Sequence, residues 1–159
     1  MAQTDVASFD VLRERSYPLI LGVVAAVAVF IVSPDFFAYA DGHNWKISEL
    51  YYAGFEFSSI AASFLFTFYT FVVTAERGFI AKMRNSIYYA QLISYTLSAI
   101  GAGVLLAIAS LPMMVLEPLP QSKWDLPTIS IAAWTLVAVW ATASFVRAVR
   151  IFVEFARVS

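Results

Sequence analysis

Residues 50–75 read LYYAGFEFSSIAASFLFTFYTFVVTA and contain one charged residue, Glu56. A helix that spans a membrane needs about 20 predominantly apolar residues, because each residue advances about 1.5 Å through a hydrocarbon core about 30 Å thick. This stretch meets that requirement and is followed by Glu76 and Arg77. It therefore predicts one transmembrane helix.

Three further stretches meet the same requirement. The first is predicted to end at Ser33 and Pro34, the third before Pro112, and the fourth to carry Pro127 at its first helical position. We predict an all-α fold, an integral membrane four-helix bundle. It is expected to be a single transmembrane domain, 1–159, with spans at about 17–33, 50–75, 89–111 and 126–146.

Composition excludes several classes of protein. Of the 159 residues, 61% are hydrophobic and 13% are charged, which is too apolar for a soluble domain. The net charge of −1 argues against direct nucleic-acid binding. Without cysteine, and with His43 as the only histidine, no metal or cofactor site and no catalytic group is expected. We therefore predict a protein that is not an enzyme.

The basic residues predict one orientation. Eight of the ten fall on one side of the four spans, and only Lys46 and Lys123 fall on the other. The positive-inside rule then places both termini in the cytoplasm, across a bacterial inner membrane. An aromatic belt is expected at the outer surface, formed by Tyr39, Trp45, Tyr51, Tyr52 and Trp124. Two tryptophans in the middle of the fourth span, Trp134 and Trp140, are expected to contact lipid or another subunit.

Glu56 begins a polar stripe on the second span. A carboxylate within the membrane is costly and marks a candidate functional site. At about 100° per residue, the hydroxyl residues that follow it fall within a stripe about 80° wide. The stripe consists of Glu56, Ser59, Ser63, Thr67, Thr70 and Thr74.

Two interpretations of the polar and small residues stay open. They are typical of contacts between packed membrane helices, in which case Glu56 is protonated or pairs with Tyr95 or Gln91. Alternatively the stripe lines a hydrated cavity or a pore, which requires several copies of so small a chain. The residues expected to pack are Gly54, Ser58, Ser94, Ser98, Ala99, Gly101, Gly103 and Ala107.

The cytoplasmic face is predicted to carry a short amphipathic lead-in, 8–15, and a basic extension of the fourth helix, 147–157. Arginine-edged helices contact anionic headgroups or a soluble protein partner. The candidate residues for these contacts are Arg77, Lys82, Arg84, Arg147, Arg150 and Arg157.

Residues 56–110 carry a resemblance to a known family. A second span rich in serine and phenylalanine, with Ser58, Ser63 and Phe64, precedes Ser86 and Tyr88. This region is similar to the small four-span proteins of bacterial phage-defence loci, including the KwaA membrane components of Kiwa systems. The resemblance implies an oligomeric sensor or effector that engages a soluble cytoplasmic partner.

A second resemblance supports a different function. Trp45, Ser48 and Glu49 open the second span as in the small four-span subunit of tripartite periplasmic transporters, although the segment from Arg77 to Tyr89 is shorter and lacks that family's histidine. Two hypotheses follow. The first is a homo-oligomeric membrane sensor or pore-type effector, and the alternative is an accessory subunit of a larger membrane complex.

Overall fold

The computed structural model describes residues 2–43, 45–74, 87–120, 122 and 124–158, with side chains for 16–40, 42–43, 45–74, 89–120, 122 and 124–153. These residues form four helices: α1, Ala2–Gly42; α2, Ser48–Thr74; α3, Ile87–Leu116; and α4, Leu126–Val158. Each contains a segment long and apolar enough to cross a membrane: Ser16–Ala40, Ser48–Thr74, Tyr89–Leu116 and Leu126–Val153. The all-α fold with four candidate spans is thus confirmed.

Prolines do not end α1 or α3, and the predicted boundaries at Ser33 and Pro112 are wrong. Pro18 and Pro34 lie inside α1, and Pro112 lies inside α3. A proline in a helix removes one backbone hydrogen bond. In lipid, unwinding the following residues would expose many more unsatisfied backbone groups, so the continuous helix is the less costly state. The lead-in 8–15 belongs to the same uninterrupted helix.

Asp125 caps the N-terminus of α4. Its carboxylate accepts hydrogen bonds from the backbone N–H groups of Thr128, at 2.9 Å, and Ser122, at 3.0 Å. Asp125 is therefore the N-cap and Leu126 the first helical residue, so Pro127 stands second rather than first. The position still tolerates proline because the first N–H groups of a helix have no partner within it. At its other end α4 continues to Val158, through the basic extension 147–157.

The helices pack in the order α1, α4, α3, α2. The main contacts are α2 with α3, α1 with α4, and α3 with α4, whereas the contact between α1 and α2 is slight among the described residues. The arrangement is therefore a row with α3 and α4 at its centre. The two ends of the row are α1 and α2, which are adjacent in sequence, and the open side lies between them.

Trp134 joins three of the helices. Its side chain on α4 is buried, and its indole N–H donates to the Ser110 hydroxyl of α3 at 2.9 Å. The Tyr51 ring of α2 meets it edge to face, with 5.0 Å between ring centroids. Ser110 in turn donates to the Leu106 carbonyl at 2.8 Å. The expected lipid or subunit role of Trp134 is corrected, because the indole polar group is satisfied inside the fold.

Two glycines allow the helices to approach closely. A Cβ built at Gly54 of α2 would lie 2.7 Å from the Trp134 ring, and one at Gly22 of α1 would lie 2.8 Å from the Leu136 carbonyl oxygen of α4. Atoms this close must move apart. The contact of Gly54 was expected from the sequence. That of Gly22 was not, since Gly22 is the single glycine of an otherwise uniformly apolar segment.

Candidate functional site

The Glu56 stripe faces away from the other helices. The buried residues of α2 are Tyr51, Ser58, Ala61, Leu65 and Val72. At about 100° per residue, the centre of that face and the centre of the stripe are about 160° apart. Glu56, Ser63, Thr67, Thr70 and Thr74 are exposed, and Ser59 is half-buried.

This geometry corrects the expectation that Glu56 pairs with α3. Tyr95 is buried beneath Arg147, and Gln91 lies on α3, on the other side of α2 from the Glu56 face. The side-chain interaction found at Glu56 is instead with the hydroxyl of Tyr52, one helical turn earlier on α2. The carboxylate therefore lies on the outer surface of a single chain.

The threonines of the stripe are satisfied within α2. Thr67, Thr70 and Thr74 donate to the carbonyl groups of Ser63, Phe66 and Thr70, at 3.0, 2.9 and 2.7 Å. A threonine bonded in this way presents little unmet polarity to lipid. Glu56 is thus the group of the stripe that most needs a polar environment or a proton.

The residues expected to pack divide into three groups by burial. Ser58, Ala99 and Gly103 are buried, and a Cβ at Gly103 would lie 3.3 Å from that of Ala62, so α2 and α3 meet here. Ser98 and Ala107 are half-buried. Ser94 and Gly101 are exposed, and no described atom lies within 4 Å of a Cβ at Gly101. Neither position is buried within a single chain, because small size does not reveal which face of a helix has a neighbour.

Arg147 lies in the last two turns of the candidate span Leu126–Val153 of α4. Its guanidinium carbon lies 4.1 Å from the centroid of the Tyr95 ring of α3, a cation–π contact. Arg150, nearly one turn further on, is exposed. Of the other candidate basic residues, Arg77, Lys82 and Arg84 lie outside the described residues, and so does the side chain of Arg157.

A groove of about 980 Å³ runs along α4 and ends at these two arginines. Tyr17, Leu21 and Val29 of α1 line one side of it, and Leu50 of α2 and Tyr95 of α3 contribute to the lining. A smaller cavity of about 340 Å³ lies beyond it, between α1 and Tyr51 of α2. Both follow from the slight contact between α1 and α2. No sequence pattern predicts these cavities, because they depend on which helices pair.

Exposed aromatic rings gather at the opposite end of the helices. The Tyr39 and Trp45 rings lie 5.9 Å apart, and the His43 ring lies 4.0 Å from that of Tyr39. His43 Nδ1 also lies 2.8 Å from the Tyr39 carbonyl oxygen. In the described part of the chain no group of three His, Cys, Asp or Glu residues could hold a metal ion. Tyr51, expected in this belt, is buried instead.

The Tyr51 hydroxyl is buried and has no hydrogen-bond partner among the described residues. We expect Tyr51→Phe to raise the free energy of unfolding by about 1 kcal/mol, because it removes an unsatisfied polar atom and keeps the ring against Trp134. Detergent-induced unfolding followed by circular dichroism measures the change. Tyr39→Phe, at a ring that is 56% exposed, is the control and should change stability by less than about 0.5 kcal/mol. A loss of stability in Tyr51→Phe alone would contradict the expectation.

Comparisons with protein-family models, with curated proteins and with solved structures found no match. Functional inference therefore rests on the chain's own geometry. The features that carry it are the exposed carboxylate on α2 and the groove that ends at Arg147.

Proposed function

We propose that this chain is a non-enzymatic, multi-pass protein of the bacterial inner membrane that self-associates through α2 and acts as a membrane sensor or pore-type effector. The distribution of basic residues supports a cytoplasmic location for both termini. The observation that carries the proposal is the position of Glu56, which lies on the face of α2 turned away from α3 and α4.

The cost of an exposed carboxylate supports self-association. Glu56 is eight residues into α2, about 12 Å along the helix axis from Ser48. An isolated copy would leave this group beside lipid, where an ionisable side chain is expensive. When α2 helices of several copies meet, the stripes face one another and the carboxylates gain water or polar partners. A second copy of the same α2 surface therefore lowers the free-energy cost of the Glu56 carboxylate.

The stripe also indicates what such an assembly does. A ring of carboxylates attracts cations, and rings of acidic side chains select for them in channels. The hydroxyl groups of Ser63, Thr67 and Thr70 continue below Glu56 towards the cytoplasmic side. The basic residues predicted on the cytoplasmic side then offer a surface for a soluble protein partner. The resemblance to phage-defence membrane proteins is consistent with this division of roles.

Cysteine cross-linking tests the interface, and the chain's lack of cysteine removes any background. We expect Ser63→Cys and Thr70→Cys to form disulfide-linked dimers in native membranes after mild oxidation. Ile108→Cys, at an exposed position on α3, is the matched control and should stay mostly monomeric. Equal cross-linking at Ile108, or none on the stripe, would contradict self-association through α2.

Glu56→Gln separates a pore from simple packing. In liposomes containing the purified protein we expect cation flux to fall by about tenfold while the oligomer persists, because the amide keeps the shape and removes the charge. Thr74→Val, at the end of the stripe, should change flux much less. Loss of the oligomer in Glu56→Gln would instead assign the carboxylate to subunit packing, and unchanged flux would contradict the pore.

The same exposed face supports a second candidate function. An accessory subunit could cover Glu56 with a helix of a larger membrane complex rather than with another copy. Purification of the chain alone distinguishes the two. A symmetric homo-oligomer supports the sensor or effector, whereas a chain that stays stable only with a larger partner supports the accessory subunit.

A further inference from the structure

The groove along α4 has the length of a lipid chain. Arg147, near one end, follows Trp134, near the other, by thirteen residues of helix, or about 20 Å. One leaflet of the hydrocarbon core is about 15 Å deep, half of the total thickness. A single extended acyl chain of that leaflet therefore fits within the groove.

The groove wall is apolar along this length. Leu21, Val29, Ala138 and Val146 contribute side chains without polar atoms. The two threonines in the wall, Thr135 and Thr142, donate their hydroxyl groups to the Ile131 and Ala138 carbonyls of α4 at 2.9 and 2.8 Å. Their polarity is thereby satisfied within α4, and the wall suits a hydrocarbon ligand.

The polar end of the groove lies at the level of phospholipid headgroups. Arg147 follows Leu126, the first residue of α4, by 21 residues, or about 32 Å. That distance matches the thickness of the hydrocarbon core, about 30 Å. The Tyr95 ring, only 7% exposed, packs against the Arg147 guanidinium. Arg147 and Arg150 both line the groove at this end, and their charge complements a phosphate.

We propose that the groove binds one anionic phospholipid of the cytoplasmic leaflet, with its phosphate on Arg147 and Arg150 and one acyl chain along α4. The site lies between α1 and α4, and it does not depend on contacts made by the Glu56 face of α2. It is therefore independent of self-association. Anionic lipid in this groove would act as a structural ligand of the fold.

Native mass spectrometry of the full chain in a neutral detergent tests the site, with phosphatidylglycerol and phosphatidylcholine as probes. We expect one phosphatidylglycerol to bind at least tenfold more tightly than phosphatidylcholine. Arg147→Gln should weaken phosphatidylglycerol binding about fivefold, and the double variant with Arg150→Gln should remove the preference. Lys46→Gln removes one charge at the opposite end, on an exposed side chain, and should have no effect.

A second pair of variants separates the groove from general surface charge. Thr142→Trp places a large ring at an exposed position of the groove wall and keeps both arginines, so phosphatidylglycerol binding should fall at least fivefold. Ile60→Trp adds the same ring at an exposed position on α2 and should leave binding unchanged. Unchanged binding in Thr142→Trp would overturn the proposal. Displacement of the lipid by millimolar inorganic phosphate would also overturn it, because it would assign the arginines to free phosphate.

Discussion

Replacing Trp134 with alanine is expected to lower the free energy of unfolding by about 3 kcal/mol, at the lower end of the range for large aromatic residues in protein cores. In lipid the unfolded helix stays in an apolar medium, so most of the cost comes from the cavity left between helices. The indole also loses its hydrogen bond to Ser110 and its edge-to-face contact with Tyr51. Detergent titration followed by circular dichroism measures the loss without relying on tryptophan fluorescence.

Two further variants identify the source of this effect. Trp124→Ala removes an indole that is 82% exposed and should cost less than about 1 kcal/mol. Trp134→Phe keeps an aromatic ring and removes the donor to Ser110, so it should cost an intermediate amount, about 1–2 kcal/mol. Equal stability of Trp134→Ala and Trp124→Ala would contradict the central position assigned to Trp134.

The second large effect is expected at Gly22. A leucine there would place its Cβ 2.8 Å from the Leu136 carbonyl oxygen, and the backbone of α4 cannot turn aside as a side chain can. The helices must separate, so we expect Gly22→Leu to cost about 3 kcal/mol, the upper part of the usual range for overpacking. Protease sensitivity of α1 in detergent, together with the unfolding titration, should report separation of α1 from α4.

Gly101 provides the matched control. It also lies within a long apolar helix, but no described atom lies within 4 Å of a Cβ there. Gly101→Leu should be neutral or slightly stabilising, because leucine has the higher helix propensity. If both leucine variants destabilise the protein to the same extent, the close approach of α1 and α4 at Gly22 is not responsible.

Hydropathy predicted the existence of the four helices well because spanning a membrane constrains length and composition strongly. The predicted ends of two helices, at Ser33 and before Pro112, came too early. They assumed that proline ends a helix in lipid as it does in water. In lipid the backbone has no alternative hydrogen-bond partner, so the helix continues. The effect of proline on a helix therefore differs between water and lipid.

Periodicity predicted the stripe on α2 but not its direction. The spacing of Glu56, Ser63 and Thr70 defines a face of the helix and carries no information about which side α3 occupies. For the same reason Gly101 and Gly103 were indistinguishable, although only the second meets a neighbour among the described residues. The pairing of Tyr95 with Arg147, 52 residues apart, likewise depends on the order in which the helices pack.

The packing order also has a consequence for biosynthesis. The main partner of α1 is α4, which leaves the ribosome after the other three described helices, and Leu136 follows Gly22 by 114 residues. At typical elongation rates of about 5–20 residues per second, α1 waits roughly 10 s in the membrane before its partner arrives. Meanwhile α2 and α3 can already pair as a hairpin. Insertion of α4 is therefore the event that completes the fold, and a nascent chain arrested before it would carry α1 as an unattached helix.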